Sequence, residues 1–333
     1  MPRIELDSPS SPPRELPDYP LNFRELQRAW DGFSPEREYH RVSFGEWLEH
    51  ILPQADVPTL EAALVRPSGQ PAAELLQRHF YWSTTCFVRS YHLFLSYLVL
   101  DAQGLYSWGI VTGYYSRFYF AKALLNLWLS TWVWVGVGGA NAPKRQPYLL
   151  YTGTRGARLV QGKAIPPGLR PRESHGSWWA LFGQLQHVAD FPEEFSYVLS
   201  DPTFDQDRRQ EVNYSDRWME GFPELEWFDH TLTQMLAHAR GFRGREDRDF
   251  TDMDRFFTGY NPEDGDVADF YTDEVQSLWN SMLCYLHILD QLRIEQDFIT
   301  REKLMVLSER ALANVLPMGL EGIRRTLNGN GEA

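Results

Sequence analysis

The sequence predicts an all-α protein: a helical bundle with extra N- and C-terminal helices and one small inserted β-hairpin. Three observations carry that prediction. Apolar residues recur at three- and four-residue steps through several long segments. Aromatic residues make up 14% of the 333-residue chain, and so many rings require a well-packed interior. One stretch alone alternates around a Gly-containing turn in the manner of paired strands.

Residues 1–20 hold Pro2, Pro9, Pro12, Pro13, Pro17 and Pro20 and read as an extended tail. The tail has acidic residues and prolines where a signal peptide has a basic stretch and an apolar run. Residues 21–70 read as an N-terminal helical extension. Two short helices there carry Phe23, Leu26 and Trp30, then Phe44, Trp47, Leu48 and Ile51, the second opened by a Ser43/Glu46 capping box. The segment 56–70 is mixed and closes on the turn Arg66-Pro67-Ser68-Gly69.

A bundle is expected over residues 71–240, with an insertion at 141–172. Pro71 opens a long helix to about Asp101, and a second runs from Tyr106 to Val135. The short turn between them implies an antiparallel helical hairpin. Tyr148–Thr152 and Ala157–Gln161 flank Gly153-Thr154-Arg155-Gly156 as the β-hairpin. Ser174 caps a helix over 175–189, and another helix is expected over 205–239. Residues 241–333 then give an acidic connection to about 274, helices near 271–296 and 300–316, and a polar tail.

Composition sets limits on function. The net charge of −13 repels nucleic acid and anionic membranes, so contact with either requires a local basic patch. Two cysteines, Cys86 and Cys284, are too few for a disulfide framework or a Cys-based zinc site; both lie in apolar surroundings and read as buried thiols. A reducing cytoplasm is the expected location. Ala123–Ala140 is an uncharged run that mimics a membrane span, but Asn126, Ser130, Thr131 and the following glycines favour a buried central helix. No membrane, metal or cofactor is expected.

The most informative stretch is Gly113–Asn126, GYYSRFYFAKALLN. Tyr114/Tyr115, Phe118, Ala121/Lys122 and Leu125 share one helix face, and such a ring-rich face needs a partner surface of similar size. This stretch resembles the second-helix signature of the HEPN superfamily, approximately SRxYYAxFxAAxALL. His175, in ESHGSWWALFGQL, stands where the family has a His opening its third helix. Arg209-Gln210-Glu211-Val212-Asn213-Tyr214 resembles the family's RxxADY element, with Asn213 in place of Asp. The resemblance covers roughly residues 71–239.

The resemblance implies a helical bundle that dimerises, often as a metal-independent endoribonuclease in bacterial stress response, toxin–antitoxin or phage-defence systems. A protein partner encoded nearby is a further implication. Metal-free RNA cleavage needs one group to move the 2′-OH proton, another to protonate the leaving oxygen, and a cation for the phosphorane charge. On this expectation Arg209 holds phosphate, Asn213 and Tyr214 orient it, and His175 supplies acid–base function. The sequence departs from the Rx4–6H form of the family: after Arg208 and Arg209 no histidine follows until His230. Asn213 cannot exchange a proton, and a tyrosine with a pKa of about 10 is a poor base at neutral pH. The string Arg170–His175 has the formal spacing, but Pro171 sets it in a loop.

Independent of the resemblance, residues 143–172 carry Lys144, Arg145, Arg155, Arg158, Lys163, Arg170 and Arg172 with no acidic residue. Two readings stand: a phosphate-contacting surface with Tyr148 and Tyr151 available for stacking, or a loop that clamps the acidic segment 246–274. Arg208 joins the first reading as an RNA contact, or else Arg208 and Arg209 form a structural ion network with Glu211, Asp216 and Arg217 at a helix start. His92, amid aromatics, reads as a core histidine. Asp252–Asp254 and Asp264–Asp269 lack the calcium-loop spacing. The alternative function is a non-enzymatic dimeric subunit that uses the HEPN fold to hold a protein partner.

Overall fold

The computed structural model describes residues 23–36, 44–51, 57–65, 71–103, 106–135, 146–153, 156–161, 175–185 and 268–327. Its elements are α1 (Phe23–Trp30), α2 (Phe44–Ile51), α3 (Val57–Ala63), α4 (Ala73–Ala102), α5 (Tyr106–Leu127), β1 (Ser130–Val135), β2 (Gln146–Gly153), β3 (Gly156–Gln161), α6 (Gly176–Leu185), α7 (Ala268–Gln291), α8 (Arg301–Leu312) and α9 (Pro317–Leu327). The fold is helix-rich and contains a three-stranded antiparallel sheet in the order β1-β2-β3, where the sequence suggested an all-α chain with a two-stranded hairpin.

The third strand comes from the run expected to continue as helix to Val135. Its helix stops at Leu127. Trp128 N–H still reaches the Leu124 carbonyl, Leu129 N–H reaches Asn126, and Leu129 itself turns to φ 55°. A residue in this left-handed region ends a helix, because the next carbonyls and amides leave the ladder. Trp30 Nε1 donates to the Leu127 carbonyl at 2.9 Å and so satisfies one of the acceptors exposed at the helix end. Beyond it Ser-Thr-Trp-Val-Trp-Val is rich in β-branched and aromatic residues and pairs with β2, Ser130 opposite Tyr151.

Two compact units divide the chain, one drawing on residues 1–83, 124–190 and 291–294, the other on 84–123, 191–290 and 295–333. In the first, Phe44, Trp47, Leu48, Leu60, Leu64 and Leu75 pack against Val133, Val135, Leu150 and Leu159 from the sheet. The approach of α2 to β1 is close enough that a Cβ on Gly45 would overlap the Trp134 carbonyl oxygen. Hairpin β2–β3 forms around the expected turn, with Gly153 opposite Gly156. Gly156 sits at φ 111°, where a side chain is strained, and it lies against Val65.

In the second unit, α4 and α7 stack rings: Phe87 on Tyr285 at 4.1 Å and 12°, and Phe94 beside Trp279 at 5.8 Å. Tyr91 shares a hydrogen bond with Ser308 at 2.8 Å, which in turn donates to Leu304 within α8. Thr300 caps α8 by accepting from Lys303 N–H.

Three further expectations change. The mixed segment 56–70 contains α3, whose seven residues bury only Leu60. The tail after Leu316 holds α9, with Gly319 tight against Leu316. The stretch read as an acidic connection to residue 274 is already helical from Ala268. The capping box at Ser43, the helix at 205–239 and the acidic segment up to 267 lie outside the described residues. Among the described residues no helix is long and apolar enough to cross a membrane.

Candidate functional site

The expected aromatic face of α5 forms. Tyr114, Phe118, Ala121 and Leu125 are all buried, and the rings of Tyr114 and Phe118 stack at 6.3 Å. The neighbouring positions Tyr115, Tyr119 and Lys122 are half-buried and make a second, polar edge on the same helix. Opposite them, α4 offers Cys86 and Arg89 three residues apart, hence on one face.

These residues converge on one ring. The Arg89 guanidinium carbon lies 4.3 Å from the centroid of Tyr119, and Lys122 Nζ lies 5.6 Å from it and 5.4 Å from that of Phe118. Such distances are within cation–π range. Burial lowers the Lys122 pKa; the Cys86 thiol opposes the effect and the Arg89 charge adds to it. Burial likewise raises Tyr119, against the pull of Arg89, and pushes the Cys86 thiol up to about 11 although both cations favour its thiolate. Cys86 and Cys284 are both buried free thiols.

A buried histidine also appears, but at a different position from the one the sequence suggested. His92 is exposed, on the α4 stripe that also carries Thr85, Val88 and Arg89. His79, thirteen positions earlier, is fully buried. Its Nδ1 lies 3.3 Å from Asn126 Oδ1 and its ring 4.9 Å from Phe44. Burial depresses its pKa to about 3, with the Asn126 bond opposing, so the ring is neutral in the fold. Its Nε2 has no partner among the described residues. A neutral, enclosed imidazole is suited to packing and poorly suited to acid–base work at neutral pH.

Of the residues singled out for RNA chemistry, four fall within the described residues: Tyr148 and Tyr151, offered for stacking, are both buried on β2, and the other two are His175 and Arg158. His175 occupies the turn before α6, and its carbonyl accepts from the amides of Trp178 and Trp179. Arg158 stands on β3 opposite Tyr151, and its Nη1 reaches Glu61 Oε2 of α3 at 3.2 Å. Glu61 Oε1 also accepts the Leu159 amide at 2.7 Å, so this carboxylate fastens β3 to α3. Arg158 therefore has a structural ion-pair partner in Glu61. Lys144, Arg145, Arg155, Lys163, Arg170, Arg172, Arg208, Arg209, Asn213 and Tyr214 lie outside the described residues.

Sequence reasoning gave no role to His79, Arg89 or Lys122. Lys122 carried a signal, as the one charge inside AKALLNL, but its partner Arg89 sits on another helix and spacing could not reveal it. Among the described residues no group of three or more His, Cys, Asp or Glu could hold a metal ion. Comparisons of the chain with protein-family models, with curated proteins and with solved structures find no match.

Proposed function

We propose that this chain is a HEPN-like protein that binds RNA, with a divergent ribonuclease site in which Arg209 contacts phosphate, Asn213 and Tyr214 orient it and His175 serves acid–base chemistry. The observation that supports this reading most is α5. The stretch GYYSRFYFAKALLN is helical, buries its aromatic face, and pairs its polar edge with a cation from α4. The cellular setting that goes with the reading is a homodimer in bacterial stress response, toxin–antitoxin or phage defence.

A second reading is favoured by a specific observation. Arg158 is tied to Glu61, which removes one cation from the basic segment, and no histidine follows Arg209 at the family's spacing. On that reading the protein is a non-enzymatic dimeric subunit that holds a protein partner.

Incubation of purified protein with end-labelled RNA, with and without EDTA, separates the two. Cleavage that survives EDTA and disappears in Arg209→Ala supports the divergent nuclease. RNA binding without cleavage, weakened in Arg209→Ala, supports an RNA-binding protein without chemistry. Neither binding nor cleavage leaves the interaction subunit.

A further inference from the structure

Acidic residues number 45 in the chain of 333, yet the stretch from Gln77 to Leu127, which holds most of α4 and all of α5, contains one, Asp101. A chain with a net charge of −13 meets a polyanion only where that charge is locally absent, and this helical hairpin is such a place. The hairpin also leaves large apolar side chains in water. Trp108 is 66% exposed and Val88 38% exposed, two of the four exposed large hydrophobic residues among the described residues.

These two residues border one surface. An α-helix turns about 100° per residue, so Trp108, Tyr115 and Tyr119 of α5 fall within about 40° of one another and span about 16 Å of the axis. Trp108 is the open end of this file of rings, and Tyr115 and Tyr119 are half-buried along it. Arg89 of α4 lies over Tyr119, which sets the exposed stripe Val88, Arg89 and His92 beside the file. The two helices run antiparallel: Ser90 bonds to Ser116, and a Cβ on Gly109 would meet the Tyr97 ring. All of these residues belong to the second compact unit.

Charge and rings together select the occupant. A second copy of the chain would bring the same cations against one another, since an isologous contact pairs one patch with itself. An acidic peptide answers the charge and leaves Trp108 without a planar partner. Single-stranded nucleic acid answers both, because its bases stack on open rings while its phosphates meet a guanidinium. A guanidinium lying flat over a ring keeps its N–H edge in plane for such a contact.

We infer that Trp108, Val88, Arg89 and His92 mark a strip on α4 and α5 that binds single-stranded RNA, with a base stacked on Trp108 and the backbone passing Arg89. The choice of RNA rests on the function proposed above; the strip itself rests on exposure, spacing and charge.

The test uses the full chain and a labelled oligouridylate, with binding read by fluorescence anisotropy across a salt series. The variants are Trp108→Ser, Trp108→Phe, Val88→Glu and Arg89→Gln. Trp134→Ser is the comparator, because Trp134 is an exposed tryptophan on β1 in the first unit. Far-UV circular dichroism confirms that each variant is folded, and light scattering gives its mass in solution.

The expected result is about tenfold weaker binding in Trp108→Ser with recovery in Trp108→Phe, and a similar loss in Val88→Glu, which sets a carboxylate in the path of the phosphates. Arg89→Gln should make the salt slope shallower by about 0.7, one phosphate contact, and Trp134→Ser should match wild type. Wild-type binding that all the variants retain within twofold overturns the strip and leaves the RNA reading standing. A dimer that falls apart in Trp108→Ser and Val88→Glu with RNA affinity unchanged makes the face a contact between copies and overturns the strip. Equal losses in Trp134→Ser and Trp108→Ser overturn it as well. No binding by wild type at low salt overturns the strip and the RNA reading together.

Discussion

Ser90 and Ser116 exchange hydrogen bonds across α4 and α5: Ser90 Oγ donates to the Ser116 carbonyl at 2.6 Å, and Ser116 Oγ donates to the Ser90 carbonyl at 2.9 Å. Both side chains are fully buried. Each hydroxyl adds a second bond to a carbonyl on the other helix, so the backbones must approach closely and only small side chains fit between them. Alanine at either position should cost about 1 kcal/mol of unfolding free energy, the worth of one such bond. Ser116→Leu should cost about 1–3 kcal/mol or more through overpacking. Urea denaturation of the alanine and leucine variants checks the order; a leucine variant as stable as wild type would contradict the close approach.

The Glu61 carboxylate has two duties on β3 that mutation can separate. Arg158→Ala removes a half-exposed ion pair and should cost less than about 1 kcal/mol. Glu61→Ala also strands the Leu159 amide and should cost about 1–3 kcal/mol. Since Arg158 is engaged by Glu61, Arg158→Ala should leave RNA affinity within about twofold of wild type. A large loss of affinity in that variant would show that Arg158 contacts phosphate despite its bond to Glu61.

His79 should make stability depend on pH. Its folded pKa of about 3 lies below the ordinary value of 6.5, so the unfolded chain binds the extra proton as pH falls. The contribution is fully present above pH 6.5 and is lost progressively between 6.5 and 3. From pH 7 to pH 5 the loss should amount to about 2 kcal/mol. Denaturation of wild type and His79→Gln at both pH values tests this. The variant should lose correspondingly less, and parallel losses in the two proteins would exclude His79 as the source.

Both thiols should be inert in the folded protein. Cys86 is raised to about 11 by burial, and Cys284 is raised further by the same cause. Neither reacts readily as a thiolate at pH 8. An aromatic disulfide reagent at pH 8 should label neither in the native state within minutes and both in denaturant. Fast native labelling of Cys86 would mean that the edge of α4 beside Lys122 is more open than described.

How much was legible in the sequence differs by element. The thirty residues of α4 carry apolar positions on so much of their surface that no local alternative competes, and hairpin β2–β3 is announced by Gly153 and Gly156 around its turn. Strand β1 was hidden because the helix before it ends at Trp128–Leu129 without glycine or proline, inside an uncharged run that suits a helix equally well. That stop depends on Leu129 in the left-handed region, a conformation no leucine advertises. Helix α3 is seven residues long, too short for periodicity, and α9 was masked by Gly319 and Gly322. At the site, the α5 face followed from spacing, whereas the Arg89–Tyr119, Arg158–Glu61 and His79–Asn126 partnerships join segments far apart in sequence and follow from tertiary packing.

The measurement that bears most directly on the central claim is the affinity of the purified protein for single-stranded RNA as a function of salt. The account predicts measurable binding at low salt that weakens linearly on a log–log plot, with a slope of about −0.7 per phosphate contacted and therefore steeper than about −2 for several contacts. Affinity that does not change with salt, or no binding at low salt, would contradict it.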